Sequence, residues 1–292
     1  MRLKISDMWD FSNPQNCEKN FREKMEKHSD SAFEVWELQT QVARALGLQG
    51  KFIQAFKILD SIQAGLEFAP TCVSKDLVGI RYNLEMGRLL MLNDKPEDSI
   101  RYFKFALKLA LNIEAEDLSM DAINMLVSVV SINERIEFGL KGIDLATKSD
   151  NGELKSSIGN LAIEIGESYL QVQEYQKAIE QFMHACDIFS KAFDAEKVRY
   201  IRLSICIAQR ALGLHKEALL ELRAQEEWHK KSGTNDAIVF EEIAENLLAL
   251  GHSSSSIYFS KTLKYFEAES MIGKKGPERL ARIKQLARKI LN

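Results

Sequence analysis

The sequence is poor in residues that interrupt helices. Its 292 residues include only four prolines and 15 glycines, which favours long uninterrupted helices and argues against an all-β or loop-rich fold. It also lacks any apolar run approaching the roughly 20 residues of a membrane-spanning helix. Asp7 and Asp10 stand where a signal peptide would need an apolar stretch. We therefore expect a cytoplasmic protein without a membrane segment.

Cysteine and net charge are also low. Cys17, Cys72, Cys186 and Cys206 are scattered, with no Cys-x-x-Cys pair, so they are expected to be reduced and mostly buried. The formal charge of -3 gives no field that would favour nucleic acid or an anionic membrane as a partner.

The sequence has no recognisable catalytic or phosphate-binding motif. It contains no Gly-x-Gly-x-x-Gly, no P-loop and no Gly-x-Ser-x-Gly elbow. Its five histidines never form the His-Glu-x-x-His pattern of zinc proteases. We expect a protein that is not an enzyme and has no catalytic residues, cofactor or metal.

A motif recurs about every 40 residues. In each copy a small residue lies shortly after a turn, near the start of a second amphipathic helix. These residues are Ala55, Ser99, Gly139, Ala178, Ala218 and Ser256, with successive spacings of 44, 40, 39, 40 and 38 residues. A sustained period of this length is typical of a helical solenoid.

The clearest copy runs from Leu161 to Ala185, and its key positions are Gly166, Tyr169, Tyr175, Ala178, Phe182 and Ala185. On these residues the chain resembles the tetratricopeptide repeat (TPR) family. The resemblance implies an all-α, right-handed α-solenoid of about six antiparallel helix pairs with N- and C-terminal capping helices. A helical-hairpin solenoid of another family is the alternative.

The repeats are longer than the 34 residues of the TPR unit, which predicts helices about a turn or more longer than usual. Such units resemble those of regulatory bacterial peptide receptors and kinesin light chains. The third copy is degenerate, because Val127 and Val130 replace the small and aromatic residues of its first helix.

We expect residues 1–30 to form an N-terminal segment with a capping helix, 31–270 the repeat array, and 271–292 a basic C-terminal capping helix. This last segment contains seven basic residues against Glu278, a charge of +6, which leaves -9 for the other 270 residues. Its charged face is either the solvated exterior of a cap or a docking patch for an acidic partner.

In TPR arrays the first helix of each pair lines the concave face, and the resemblance therefore implies a set of partner-binding positions. They are Arg44, Arg81, Arg88, Asn124, Ser128, Asn160, Glu167, Tyr200, Arg210, Glu241 and Glu245. A groove that is basic and polar at one end and acidic at the other would orient an extended or helical peptide. Thr40 and Arg44 stand where TPR proteins that bind chaperone tails have Lys and Asn, which argues against that ligand.

The leading hypothesis is a protein-protein interaction scaffold or adaptor that binds a peptide or protein segment in its concave groove. The alternative is a regulatory, peptide-sensing protein that modulates a partner, including by promoting phosphate hydrolysis on it. A third hypothesis is homo-oligomerisation through the terminal helices.

Overall fold

The computed structural model describes residues 5–27, 30–268 and 276–289. Within these ranges the chain forms one short 3-10 helix, Ser6–Met8, and fourteen α-helices, with no strand. The α-helices are α1 Pro14–Lys27, α2 Ala32–Leu48, α3 Phe52–Phe68, α4 Val73–Leu92, α5 Pro96–Asn112, α6 Glu116–Val129, α7 Ile132–Lys148, α8 Gly152–Gln171, α9 Tyr175–Lys191, α10 Ala195–Ala211, α11 His215–Ser232, α12 Ala237–Ala249, α13 Ser255–Ala268 and α14 Gly276–Lys289.

Helices α2 to α13 are six consecutive pairs, and the predicted TPR-like all-α fold is confirmed. Nine of these twelve helices have 17 to 20 residues, which explains the long period. The chain divides into two compact units, Met1–Ile158 and Gly159–Asn292. The boundary falls within α8.

Turns between the helices recurrently contain one residue in the left-handed conformation. Gly50, Gly213 and Gly251 have φ values of 74°, 78° and 72°, a region that glycine enters without steric cost. Pro96 is the first residue of α5, where its missing amide hydrogen costs no helical hydrogen bond. Short turns of this kind bring the end of one helix close to the start of the next.

The two helices of a pair approach closely where glycine faces phenylalanine. A Cβ atom added at Gly87 would lie 2.5 Å from Cε1 of Phe103, and one added at Gly166 would lie 2.6 Å from Cε1 of Phe182. Both phenylalanines are fully buried. The absence of a side chain at Gly166 therefore lets Phe182 fill the space between the two helices.

The small residues of the recurring motif are buried as well. In the degenerate third repeat, Val127 and Val130 are buried and add to the packing.

Terminal helices cover the ends of each unit's hydrophobic core. In the first unit, α1 buries Cys17 and Phe21 in the core formed with α2 and α3. In the second, α14 buries Ile283 and Ala287 against Ala244 and Phe259. His28, Lys274 and Lys275, which belong to the predicted caps, lie outside the described residues. No helix in the described ranges is both long and apolar enough to cross a lipid bilayer.

Candidate functional site

All eleven predicted partner-binding residues lie on the first helices of the pairs, α2, α4, α6, α8, α10 and α12. Within a unit these helices contact one another directly: α2 packs on α4, α4 on α6, and α10 on α12. Similar close contacts between successive second helices of a unit are absent from the described ranges. The side of a stack where helices pack more closely lies inside its curve, so the first-helix face is the inner face of each unit.

The three predicted arginines of the first unit are already paired with carboxylates. Arg81 Nε donates to Glu37 Oε1 at 2.6 Å, which joins α4 to α2. Arg88 donates to Glu85 Oε1 at 2.5 Å and also to Asp121 on α6. Because each of these three arginines has a carboxylate partner in the chain, ion pairs neutralise the positive charge predicted for this end of the groove.

Glu85 is the centre of this network and only 2% of its side chain is exposed. Its Oε2 lies 3.8 Å from Arg44 Nε, which is an ion pair too long for a hydrogen bond. Burial lowers the pKa of Arg88, but the charges of Glu85 and Asp121 outweigh that effect and raise it above the usual arginine value. The network therefore holds Arg88 as a fixed cation between two carboxylates, Glu85 and Asp121.

The chain's own N-terminal segment covers Arg44. The guanidinium carbon of Arg44 lies 4.9 Å from the ring centroids of both Trp9 and Phe11, within range of a cation–π contact. Trp9 Nε1 also donates to Gln41 Oε1 at 2.9 Å. Sequence reasoning missed this cover, although the apolar residues before Asn13-Pro14 were a signal that the segment packs on something.

Thr40, adjacent to Gln41, is fully buried. Its hydroxyl donates to the carbonyl oxygen of Glu37 at 2.6 Å. It therefore presents no group to a ligand carboxylate.

Asn124 and Ser128 lie one helical turn apart on α6, and both are exposed. The Ser128 hydroxyl donates to the carbonyl oxygen of Met125 at 2.7 Å, within its own helix. Amide and hydroxyl groups at this spacing can bind a peptide backbone along one face of a helix.

In the second unit, two predicted residues of α8 accept hydrogen bonds from the neighbouring first helix, α10. Lys197 Nζ donates to Asn160 Oδ1 at 3.2 Å, and the Tyr200 hydroxyl donates to Glu167 Oε1. Burial, assisted by the hydrogen bond to Glu167, raises the pKa of Tyr200 to about 12. Tyr200 therefore stays a neutral hydrogen-bond donor throughout the physiological pH range.

The predicted acidic end of the groove is occupied by the chain itself. Arg279 of α14 donates to Glu241 through two bonds of 2.9 and 2.5 Å, and Arg282 lies 2.6 Å from Glu245. Both carboxylates are nearly buried, with 7% and 9% of the side chain exposed. Both carboxylates are therefore already paired with the basic helix, and their predicted role in binding a partner stays a prediction.

Arg279 and Arg282 anchor the basic C-terminal helix to α12 through these ion pairs, yet their side chains are still 41% and 54% exposed. Both interpretations of the basic segment, as the solvated exterior of a cap or as a docking patch, stay predictions.

A third buried carboxylate of α12 contacts Arg210, one of the predicted partner-binding residues. Glu242 accepts two hydrogen bonds from Arg210, at 2.7 and 3.1 Å. Burial raises the pKa of Glu242, although the bonds from Arg210 oppose that shift. A fork of two parallel bonds holds a carboxylate strongly, so Arg210 serves to join α10 to α12. No cluster of three or more metal-ligating side chains occurs in the described part of the chain.

The fold is that of TPR-like helical repeat proteins, and solved structures of this class resemble the chain closely in backbone. No protein-family sequence model matches it, and no curated protein matches it.

One similar structure is a signal-transduction ATPase with a TPR sensor from Pyrococcus horikoshii (TM-score 0.68, 12% identity). The match covers 94% of this chain but only 42% of the ATPase. A second is the apo quorum sensor NprR from B. thuringiensis (TM-score 0.56, 12% identity), covering 98% of this chain and 80% of NprR. A third is aspartyl phosphate phosphatase F from Bacillus subtilis (TM-score 0.59, 11% identity), covering 97% and 78%.

Proposed function

We propose that the protein is a non-catalytic scaffold or adaptor that binds a peptide or protein segment along its first-helix face. The observation that carries the proposal is a set of polar side chains on the inner face of each unit, Asn124 and Ser128 in the first and Asn160 and Tyr200 in the second. A concave row of fixed hydrogen-bonding groups suits a polypeptide, whose backbone offers donors and acceptors at regular intervals. All four cysteines are free, which accords with a reducing compartment such as the cytoplasm.

The buried ion pairs dictate how this proposal is tested. Replacing Arg88 would leave Glu85 buried and unpaired, which would destabilise the fold whether or not Arg88 binds a ligand. Exposed positions avoid that ambiguity.

A photo-crosslinking amino acid placed at Asn124 should therefore capture the partner from native lysate. The matched control is the same group at Thr147, which is exposed on the second helix of the same pair, α7. Capture at position 124 and not at 147 supports the proposal. Equal capture at both positions, or capture at 147 alone, would refute binding on the inner face.

The second candidate function is a regulatory protein that senses a peptide and modulates a partner. It is favoured by the similarity in fold to a quorum sensor and to an aspartyl phosphate phosphatase. A peptide that binds only the folded state raises the melting temperature, so a screen of short signalling peptides by thermal shift tests this role. Homo-oligomerisation through the terminal helices stays a separate prediction, which the mass in solution tests.

A further inference from the structure

A groove lies on the outer side of the second unit, between the second helices α9 and α11, with α10 as its floor. It consists of two adjoining cavities of about 490 and 600 Å³. They share Ser190, Arg202, Glu221 and Ala224. Volumes in this range are typical of ligand-binding sites, and none of the predicted inner-face residues lines either cavity.

Large apolar side chains at this groove are left in solvent. Met183 on α9 is 60% exposed, Leu220 on α11 is 79% exposed, and Phe193 in the turn after α9 is 93% exposed. Trp228 lies at the same end of the groove as Phe193. Single exposed apolar residues are ordinary on a protein surface, but several around one cavity mark a binding surface.

Phe193 also adopts a backbone conformation that its side chain disfavours. Its φ is 57°, in the left-handed region, where the Cβ atom of a residue other than glycine comes too close to the following carbonyl oxygen. At the other left-handed positions of the described residues the chain uses only Gly, Asp, Glu or Gln. A bulky aromatic residue in this conformation, almost wholly in solvent, contributes nothing evident to folding.

Carboxylates outnumber arginines in the lining of the groove, although Asp187 and Asp194 also pair with Lys191 and Lys197 outside that lining. Four carboxylates line its two cavities (Asp187, Asp194, Glu217 and Glu221) against two arginines, Arg199 and Arg202. Both arginines are engaged, since Arg202 pairs with Glu221 at 3.4 Å and Arg199 stacks 3.6 Å from the Trp228 ring centroid. Glu217 has no partner among the side chains that the structure describes. The Met183 and Leu220 end of the groove is therefore apolar with an acidic border.

We propose that this groove binds an amphipathic α-helix of a partner protein, with an apolar stripe on one face and Lys or Arg beside it. The lining positions extend from Met183 on α9 to Phe193 in the turn after it, a length of about 15 Å at the rise of an α-helix. This length matches about three turns of a helix with apolar residues at i, i+3, i+4 and i+7. A basic residue flanking that stripe would meet Glu217, the lining carboxylate that has no partner among the described side chains.

The test uses a phage-displayed library of 12-residue peptides built on a helical scaffold, selected against the whole protein. Enriched peptides should carry the apolar stripe with Lys or Arg in excess over Asp and Glu. The variant Leu220→Asp should weaken their binding at least tenfold, and Glu217→Lys should weaken it with a smaller dependence on salt. Ile53→Asp is the matched control, because Ile53 is 86% exposed on α3 of the other unit, and it should leave binding unchanged.

Three results would overturn the proposal. One is that selection against the original protein enriches peptides no more than selection against the double variant Met183→Asp/Leu220→Asp does. Another is a set of acidic peptides, or of peptides that bind Leu220→Asp as tightly as the original protein. The third is a concentration-dependent dimer that Leu220→Asp abolishes, which would assign the groove to a second copy of the chain. Circular dichroism of each variant confirms that the exposed substitutions keep the helices intact.

Discussion

Replacing Gly87 with Ala tests the packing inside the helix pairs. The new Cβ would lie 2.5, 2.7 and 2.9 Å from three ring carbons of Phe103, all closer than real Cβ contacts allow. Phe103 has no exposed surface, so its ring cannot move away without displacing neighbours. Gly79 on the same helix is the matched control, because its added Cβ would meet only Leu109 Cδ1, at 3.5 Å.

Two opposing effects set the magnitude. Overpacking a buried site costs about 1 to 3 kcal/mol, and three simultaneous clashes with a fully buried ring place Gly87→Ala near the upper end. Alanine stabilises a helix interior by about 1 kcal/mol relative to glycine. We therefore expect Gly87→Ala to lower the free energy of unfolding by about 2 kcal/mol. Gly79→Ala, which keeps only the second effect, should raise it by up to about 1 kcal/mol.

Urea unfolding followed by circular dichroism measures both variants. Adding Phe103→Leu to Gly87→Ala removes the clashing ring atoms, so the double variant should be more stable than the sum of the single effects predicts. A rise in stability for Gly87→Ala, or strict additivity with Phe103→Leu, would refute the reasoning. Equal effects of Gly79→Ala and Gly87→Ala would refute it as well.

Three further predictions concern other parts of the chain. Arg279→Ala should lower the free energy of unfolding in urea by roughly 1 to 2 kcal/mol, because it leaves the nearly buried Glu241 unpaired. The loss is limited because solvent partly screens Arg279. An unchanged midpoint would contradict this. At pH 8 a thiol reagent should modify the exposed Cys72 quickly but the buried Cys206 only after unfolding. Burial raises the pKa of Cys206 to about 12, which leaves almost no reactive thiolate. Fast modification of both thiols would show that solvent reaches Cys206 in the folded protein. Phe193→Gly should raise the free energy of unfolding by about 1 kcal/mol, since glycine adopts the left-handed conformation without strain; a loss of stability would show that Phe193 packs on the fold.

The charged residues of the inner face join neighbouring helix pairs. Arg81 binds Glu37, Arg210 binds Glu242, and each of these bonds connects two successive first helices. A repeat array is stabilised by the contacts between adjacent repeats. A partner on this face therefore meets a surface whose cations already have ligands, and its affinity rests more on hydrogen bonds than on net charge.

Much of the fold was predictable from local sequence patterns. The 40-residue period, the small residues such as Ala178 and the pairing of Gly166 with Phe182 depend on residues close together in the chain. Helical periodicity places such residues on one face, and short turns bring successive helices together. For the same reason the predicted partner-binding residues do lie on first helices, although their role in binding stays a prediction.

The sequence by itself determined the class of fold, the number of helix pairs and which helix of each pair carries the predicted residues. Tertiary structure decided which of those residues are already engaged. Arg279 and Glu241 are 38 positions apart, and Trp9 and Arg44 are 35 positions apart. No local pattern indicates which charge or ring will cover another. The groove between α9 and α11 also forms only after folding, because α10 separates these two helices along the chain.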